Sequence, residues 1–177
     1  EPAKLDLNSR FTGYLDCLDS MNNEKLMRKW LEQMTYIELQ RGEEVPELSA
    51  VKRAILACFN TFDNTREMGK ADRCTFDVKS GEIEITYTLP NGKKEIHPLS
   101  EMSDGYRNML SMVADIAYRM ALLNPQLFDK VTEKTSGVVL IDEIDLHLHP
   151  AWQRHIVGAL KKIFPKVQFI VSTHAPS

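Results

Sequence analysis

Val138-Val139-Leu140-Ile141-Asp142-Glu143 is the stretch on which the fold turns: four apolar residues run directly into two acids. The apolar run reads as a strand buried on both faces, the kind found inside a parallel sheet. Asp142 and Glu143 then sit at its carboxyl end, where open α/β sheets place their ligands. Two carboxylates at the end of a buried strand need a cation or a reaction to offset their desolvation. Read alone, the same residues also describe a strand that reaches solvent and ends in ordinary surface acids.

Downstream, residues 150–164 carry Trp152, Ile156, Ala159, Leu160 and Ile163 at helical spacing. Pro150 suits the first turn of a helix and Pro165 follows its end. Val167 to Val171 is a second continuous apolar run. Strand, helix, strand over this length predicts a βαβ unit with two parallel strands and a right-handed crossover.

Upstream, the period changes twice. Leu26, Met27, Trp30, Leu31, Met34 and Ile37 predict a helix between Asn22-Asn23 and Gly42. A second helix starts near Pro46 and carries Leu48, Val51, Ile55, Phe59 and Phe62 on one face. Residues 76–99 then alternate, with turns at Ser80-Gly81 and Pro90-Asn91-Gly92-Lys93, which predicts an antiparallel meander with one wet face. Glu82 and Glu84 fall on that wet face. After Ser103-Asp104-Gly105-Tyr106-Arg107 a helix runs to about Leu123, with Met109, Val113, Ile116 and Met120 on its apolar side and Asn124-Pro125 at its end. The expected organisation is a helical lobe or insert over 1–72, a meander over 73–99, and over 100–177 the helix after Ser103 followed by the strand-helix-strand part.

The chain has 177 residues, enough for one sizeable domain or two small ones. A net charge of −3 is no electrostatic footprint for nucleic acid. Cys17, Cys58 and Cys74 have no metal-ligand spacing and read as reduced thiols of a cytoplasmic protein. No apolar run approaches membrane-spanning length. The chain opens on Glu1-Pro2 and ends on Pro176-Ser177, just after a core strand, so it reads as a piece of a longer protein.

The chemistry concentrates in few places. Ser172-Thr173-His174 ends the second apolar run, and parallel neighbours end on the same side, so His174 should lie close to Asp142 and Glu143. Ser103-Asp104-Gly105 opens a helix, where free N–H groups and the helix dipole favour an anion and a glycine lets a phosphate approach. Its simpler reading is a helix N-cap. His147 and His149 form an H-x-H pair with no third ligand in sight. They fit better as residues that shape the turn and the helix start.

These residues carry a family resemblance. Val138 to Glu143 looks like the Walker B strand of an ABC-type ATPase. Met102-Ser103-Asp104-Gly105-Tyr106 resembles the signature motif usually written LSGGQ, Asp145 falls where the D-loop lies, and His174 falls where the switch histidine lies. The wording DEIDLHLHP over 142–150, with Ser172-Thr173-His174-Ala175-Pro176, is similar to the RecF/SMC/OLD-like ATPases. Ser103 to Asn108 and Ala114 to Arg119 narrow it to the AAA_21-type predicted ATP-binding proteins that include Septu and retron-associated defence ATPases. The resemblance covers about residues 99–177. It implies an α/β fold, the C-terminal half of a P-loop NTPase of ABC type with parallel core strands, a helical insert and an antiparallel meander.

The resemblance also implies roles. Asp142 would hold Mg²⁺ through water, and Glu143 would be the general base or position the attacking water. His174 would sense the γ-phosphate. Ser103, Gly105 and Asp145 would serve ATP across the interface of a homodimer or higher oligomer that sandwiches two nucleotides. The implied function is ATP hydrolysis as a switch in DNA metabolism or anti-phage defence, coupled to an effector such as a nuclease, with DNA as a further partner and no membrane. Two other readings stay open: an OLD-like enzyme whose nuclease domain follows Ser177, and a docking module that never hydrolyses.

Three departures stand out. Asp104 replaces a glycine and brings negative charge near a phosphate unless its side chain turns away. Tyr106 replaces glutamine. No G-x-x-x-x-G-K-[ST] loop and no placeable Q-loop glutamine occur in the chain. That loop supplies most of the triphosphate grip and in this class precedes the signature, so the chain alone should hydrolyse little ATP.

Overall fold

The computed structural model describes residues 20–62, 70–145, 148 and 150–173. His174, His147, His149 and Cys17 lie outside the described residues.

Helix α1 spans Ser20–Arg41 and buries Met27, Trp30 and Leu31. It stops at Gly42, whose φ of +66° is the left-handed conformation in which a glycine closes a helix, its N–H donating to Glu38 O at 3.0 Å. Helix α2 spans Pro46–Phe62 and is buried along Leu48, Val51, Ile55, Cys58, Phe59 and Phe62. It is the central helix. It packs on the meander, on the long helix that follows it and on the last helix of the chain. Lys52 reaches back from it to Glu38 on α1 at 2.7 Å.

The meander forms as its period predicts. Strands β1 (Lys70–Asp77), β2 (Glu82–Thr88) and β3 (Lys94–Pro98) pair antiparallel in that order. Cys74, Phe76, Ile83, Ile85 and Tyr87 turn inward. At the first turn the Asp77 carboxylate accepts the N–H groups of Lys79 and Ser80, and these bonds hold it below the usual carboxylate range. Glu82 and Glu84 take the outward positions, and Glu82 accepts a hydrogen bond from the Ser100 hydroxyl at 2.6 Å.

Helix α3 spans Asp104–Leu123. Its inner side buries Met109, Leu110, Val113, Ala114, Ala117 and Tyr118 against α1 and α2, and it carries a part-buried Arg119–Asp115 ion pair at 2.9 Å. Asn124 and Pro125 end it, and a short helix α4 (Val131–Lys134) leads to strand β4 (Gly137–Ile141). Helices α5 (Pro150–Gln153) and α6 (Ile156–Ile163) then lead to strand β5 (Val167–Val171). Strands β4 and β5 pair parallel, Gly137 opposite Val167 and Ile141 opposite Val171. The α/β class and the parallel strands are therefore present, and the buried residues of helices and meander form one continuous core.

Two expectations change. The strand predicted to be buried on both faces is covered on one. Val139, Ile141, Phe169 and Val171 pack on the core, but Leu140 is 73% and Val138 58% exposed. Among the described residues the β4–β5 sheet has a layer on one side only, so alternate side chains face outward. The helix predicted over 150–164 is broken after Gln153. The His155 N–H donates to Trp152 O at 2.8 Å, a tight three-residue step, before α6 begins. The two halves serve different contacts: Trp152 packs on Tyr106 and Phe62, while Ile156, Leu160 and Ile163 enter the core.

Candidate functional site

The parallel register sets the site. Ile141 lies opposite Val171, so the next residues out, Asp142 and Ser172, are neighbours. The Ser172 N–H donates to Ile141 O at 3.0 Å, and the Ser172 carbonyl accepts from Ile144 N–H at 3.1 Å. Between those two rungs the chain carries Asp142 and Glu143 outward. Glu143 has a φ of +49°, in the left-handed region that disfavours a residue with a Cβ. Its N–H donates to Ser172 Oγ at 2.8 Å, and the same hydroxyl donates to Asp142 Oδ1.

Beyond the acids the chain dives back. Ile144 and Leu148 are buried. Asp145 is half-buried on the turn between them. Its carbonyl accepts from Leu148 N–H at 3.1 Å and from the Gln153 side-chain amide at 3.4 Å. The turn that follows the acids is thus tied to α5. Asp142 and Glu143 open on a cleft of about 200 Å³ whose opposite wall is α3, through Asn108, Met109 and Met112.

The signature-like residues sit at the start of α3, one turn or more from that wall. Ser103 is the N-cap residue, with extended backbone, and its hydroxyl makes no capping bond to the helix. Gly105 is buried in the first turn. Neither lines the cleft that holds Asp142 and Glu143. Asp104 turns to Arg107 one helical turn on and pairs with its guanidinium. The guanidinium partly offsets the charge of this acid at a glycine position. Tyr106 is a packing residue: its ring stacks on Phe59 at 5.2 Å and 21° and meets Trp152 edge-on at 4.3 Å. It joins α2, α3 and α5.

A single exposed carboxylate that keeps an oxygen for a cation suits Mg²⁺, which favours one or two carboxylates plus phosphate and water oxygens over a cage of protein ligands. Asp142 meets that description, since Ser172 takes only its Oδ1. The thiols stand apart from this site. Burial pushes Cys58 and Cys74 up to about 12, so neither offers a thiolate.

Asp142 and Glu143 follow the carboxyl end of β4 and line one cleft, and Ser103 and Gly105 are not among its lining residues. Sequence reasoning assigned Ser172 no role of its own, read Asn108 only as part of the run after Ser103, and did not single out Met112. Ser172 was within reach: a parallel pair that ends in step places it beside Asp142.

Known proteins add to this geometry. A family model described as "AAA domain, putative AbiEii toxin, Type IV TA system" matches residues 19–177. A "Retron Vc95 probable ATPase" from Vibrio cholerae serotype O1 biovar El Tor is 51% identical over 191 aligned positions, 97% of this chain and 36% of that protein. A "Retron Ec83 probable ATPase" from Escherichia coli is 50% identical over 76 residues, 43% of this chain and 14% of that protein. A "Septu protein PtuA" from Bacillus mycoides (strain KBAB4) is 47% identical over 79 residues, 44% of this chain and 10% of that protein. The chain spans well under two thirds of the length of each of these relatives.

Proposed function

The chain belongs to the family described as "AAA domain, putative AbiEii toxin, Type IV TA system", and from that membership we propose that it is the acid-bearing part of an ATP-hydrolysing head of ABC type. The observation that supports this most is the pair Asp142 and Glu143, held side by side at the carboxyl end of β4 and open to a cleft.

In this reading Asp142 would hold Mg²⁺, and Glu143 would position the attacking water or take its proton. Mg²⁺, when bound with ATP, supplies positive charge to the phosphate oxygens. Ser103 and Gly105, which do not line the cleft of the acids, would serve the nucleotide of a second head. The exposed N-cap hydroxyl of Ser103 and the positive end of the α3 dipole suit a γ-phosphate. Asp145 works across the same interface, and His174 contacts the γ-phosphate. The head therefore acts as a homodimer or higher oligomer around sandwiched ATP. In this reading α1 and α2 belong to the helical lobe expected over 1–72, the meander starts at Lys70, three residues earlier than the expected 73, and the residues from 100 onward carry the motifs.

Two of the relatives are named for retrons and one for Septu. We extend that to a cytoplasmic switch in anti-phage defence or DNA metabolism, coupled to an effector such as a nuclease. Among the described residues no helix is long and apolar enough to cross a membrane.

The test is Glu143→Gln in the full-length protein that contains this chain. The amide keeps the shape and loses the basicity. ATP turnover should fall on the order of a hundredfold or more, with Mg²⁺-dependent ATP binding retained. Turnover at the wild-type rate would refute the assignment.

A further inference from the structure

We propose that Ser172 is a positioning residue for the two acids: its hydroxyl holds Glu143 in its left-handed backbone conformation and fixes the Asp142 carboxylate beside it. The catalytic consequence rests on the ATPase reading of Asp142 and Glu143. The geometry stands without it.

The case comes from the end of the β4–β5 ladder. In a regular parallel pair, a residue that donates to Ile141 O accepts, at its own carbonyl, the N–H of the residue two beyond Ile141. That residue is Glu143. Here the Ser172 carbonyl takes the N–H of Ile144 instead, at 3.1 Å. One extra residue has therefore entered the β4 side, which is a bulge. Glu143 is displaced from its rung and takes a φ of +49°. A residue with a Cβ disfavours this conformation, so its surroundings must hold it there.

The Ser172 hydroxyl does so. A hydroxyl has one proton to give and two lone pairs to accept with. Oγ accepts the stranded Glu143 N–H at 2.8 Å and spends its proton on Asp142 Oδ1. One side chain, 29 residues from Glu143 and 30 from Asp142, thus sets the backbone angle of Glu143 and the carboxylate orientation of Asp142. It commits one oxygen of Asp142 and leaves the other for a cation. Ser172 and Asp142 are exposed, where a hydrogen bond adds little to stability. The bond's main effect is therefore on the geometry of the two acids.

The experiment uses the full-length protein and compares Ser172→Ala with Ser172→Thr, which restores a hydroxyl. Ser172→Ala should lower kcat for ATP on the order of tenfold to a hundredfold. KM should stay within about twofold and the thermal midpoint within about 2 °C. Ser172→Thr should recover most of the lost rate. A kcat for Ser172→Ala within about twofold of wild type, no rescue by threonine, or a midpoint that falls in step with the rate would each overturn the proposal.

Amide exchange across Asp142 to Ile144 gives a readout that needs no turnover. It should quicken in Ser172→Ala and not in Ser172→Thr, and unchanged exchange in the alanine variant would overturn the clamp. Glu143→Gln separates the two ideas. If it abolishes turnover while Ser172→Ala does not, the ATPase reading stands and the clamp falls. If it leaves turnover intact, the ATPase reading falls and exchange alone decides the clamp.

Discussion

Replacing Tyr106 by glutamine, the residue usual at that place in the signature motif this stretch resembles, should destabilise this protein. The tyrosine lies half-buried between Phe59, stacked at 5.2 Å, and Trp152, edge-on at 4.3 Å, and Trp152 in turn meets Phe62 at 5.8 Å. Glutamine removes both ring contacts. Aromatic pairs of this geometry contribute about 0.5–1.5 kcal/mol each beyond area burial, so the two together account for about 1–3 kcal/mol. The apolar ring surface lost from a half-buried site adds about 1 kcal/mol. The expected loss is therefore about 2–4 kcal/mol. Tyr106→Phe keeps both ring contacts and should recover most of it. Urea unfolding followed by tryptophan fluorescence measures the difference. A Tyr106→Gln protein within about 0.5 kcal/mol of wild type would show that the α2–α3–α5 junction does not depend on this ring. Packing would then no longer explain why a tyrosine stands where the motif usually has glutamine.

Two further outcomes follow from single residues. Gly42→Ala forces a Cβ into a φ of +66° at the end of α1; with nothing within 4 Å to clash, the cost is the backbone's alone, about 1 kcal/mol, and thermal unfolding should show it, whereas no change would mean that the helix closes differently. Cys58 and Cys74, pushed up to about 12 by burial, hold almost no thiolate at pH 8. Peptide mapping after alkylation should find both unmodified in the native protein and modified after unfolding, and prompt native labelling would contradict their burial. The sign is plain: their reactivity rises only as pH approaches those values or as the fold opens.

Much of the fold was legible because the relevant signals are local. Apolar period, Pro46, Gly42 and Asn124-Pro125 placed α1, α2 and α3, and alternation with two turns placed the meander. These features depend on which residues are near in sequence, which is what a sequence displays. The break between α5 and α6 was not legible, because the apolar positions of 150–164 keep a helical period through it. What bends the chain is the pull of Trp152 toward Tyr106 and Phe62 while Ile156 and Leu160 enter a different part of the core.

The stretch 138–143 shows the division most clearly. By itself it determined a strand, its end, and two acids at that end, since apolar run and charge are written in the residues. It did not determine how the strand is covered. An apolar run says that burial is favourable and cannot say which layers supply it, so the outward Val138 and Leu140 appear only in three dimensions. Nor did it determine how the acids are held. The bulge, the left-handed Glu143 and the Ser172 hydroxyl that bridges both acids depend on the register between two strands about thirty residues apart. Register is a property of the paired backbone, and only the tertiary structure decides it.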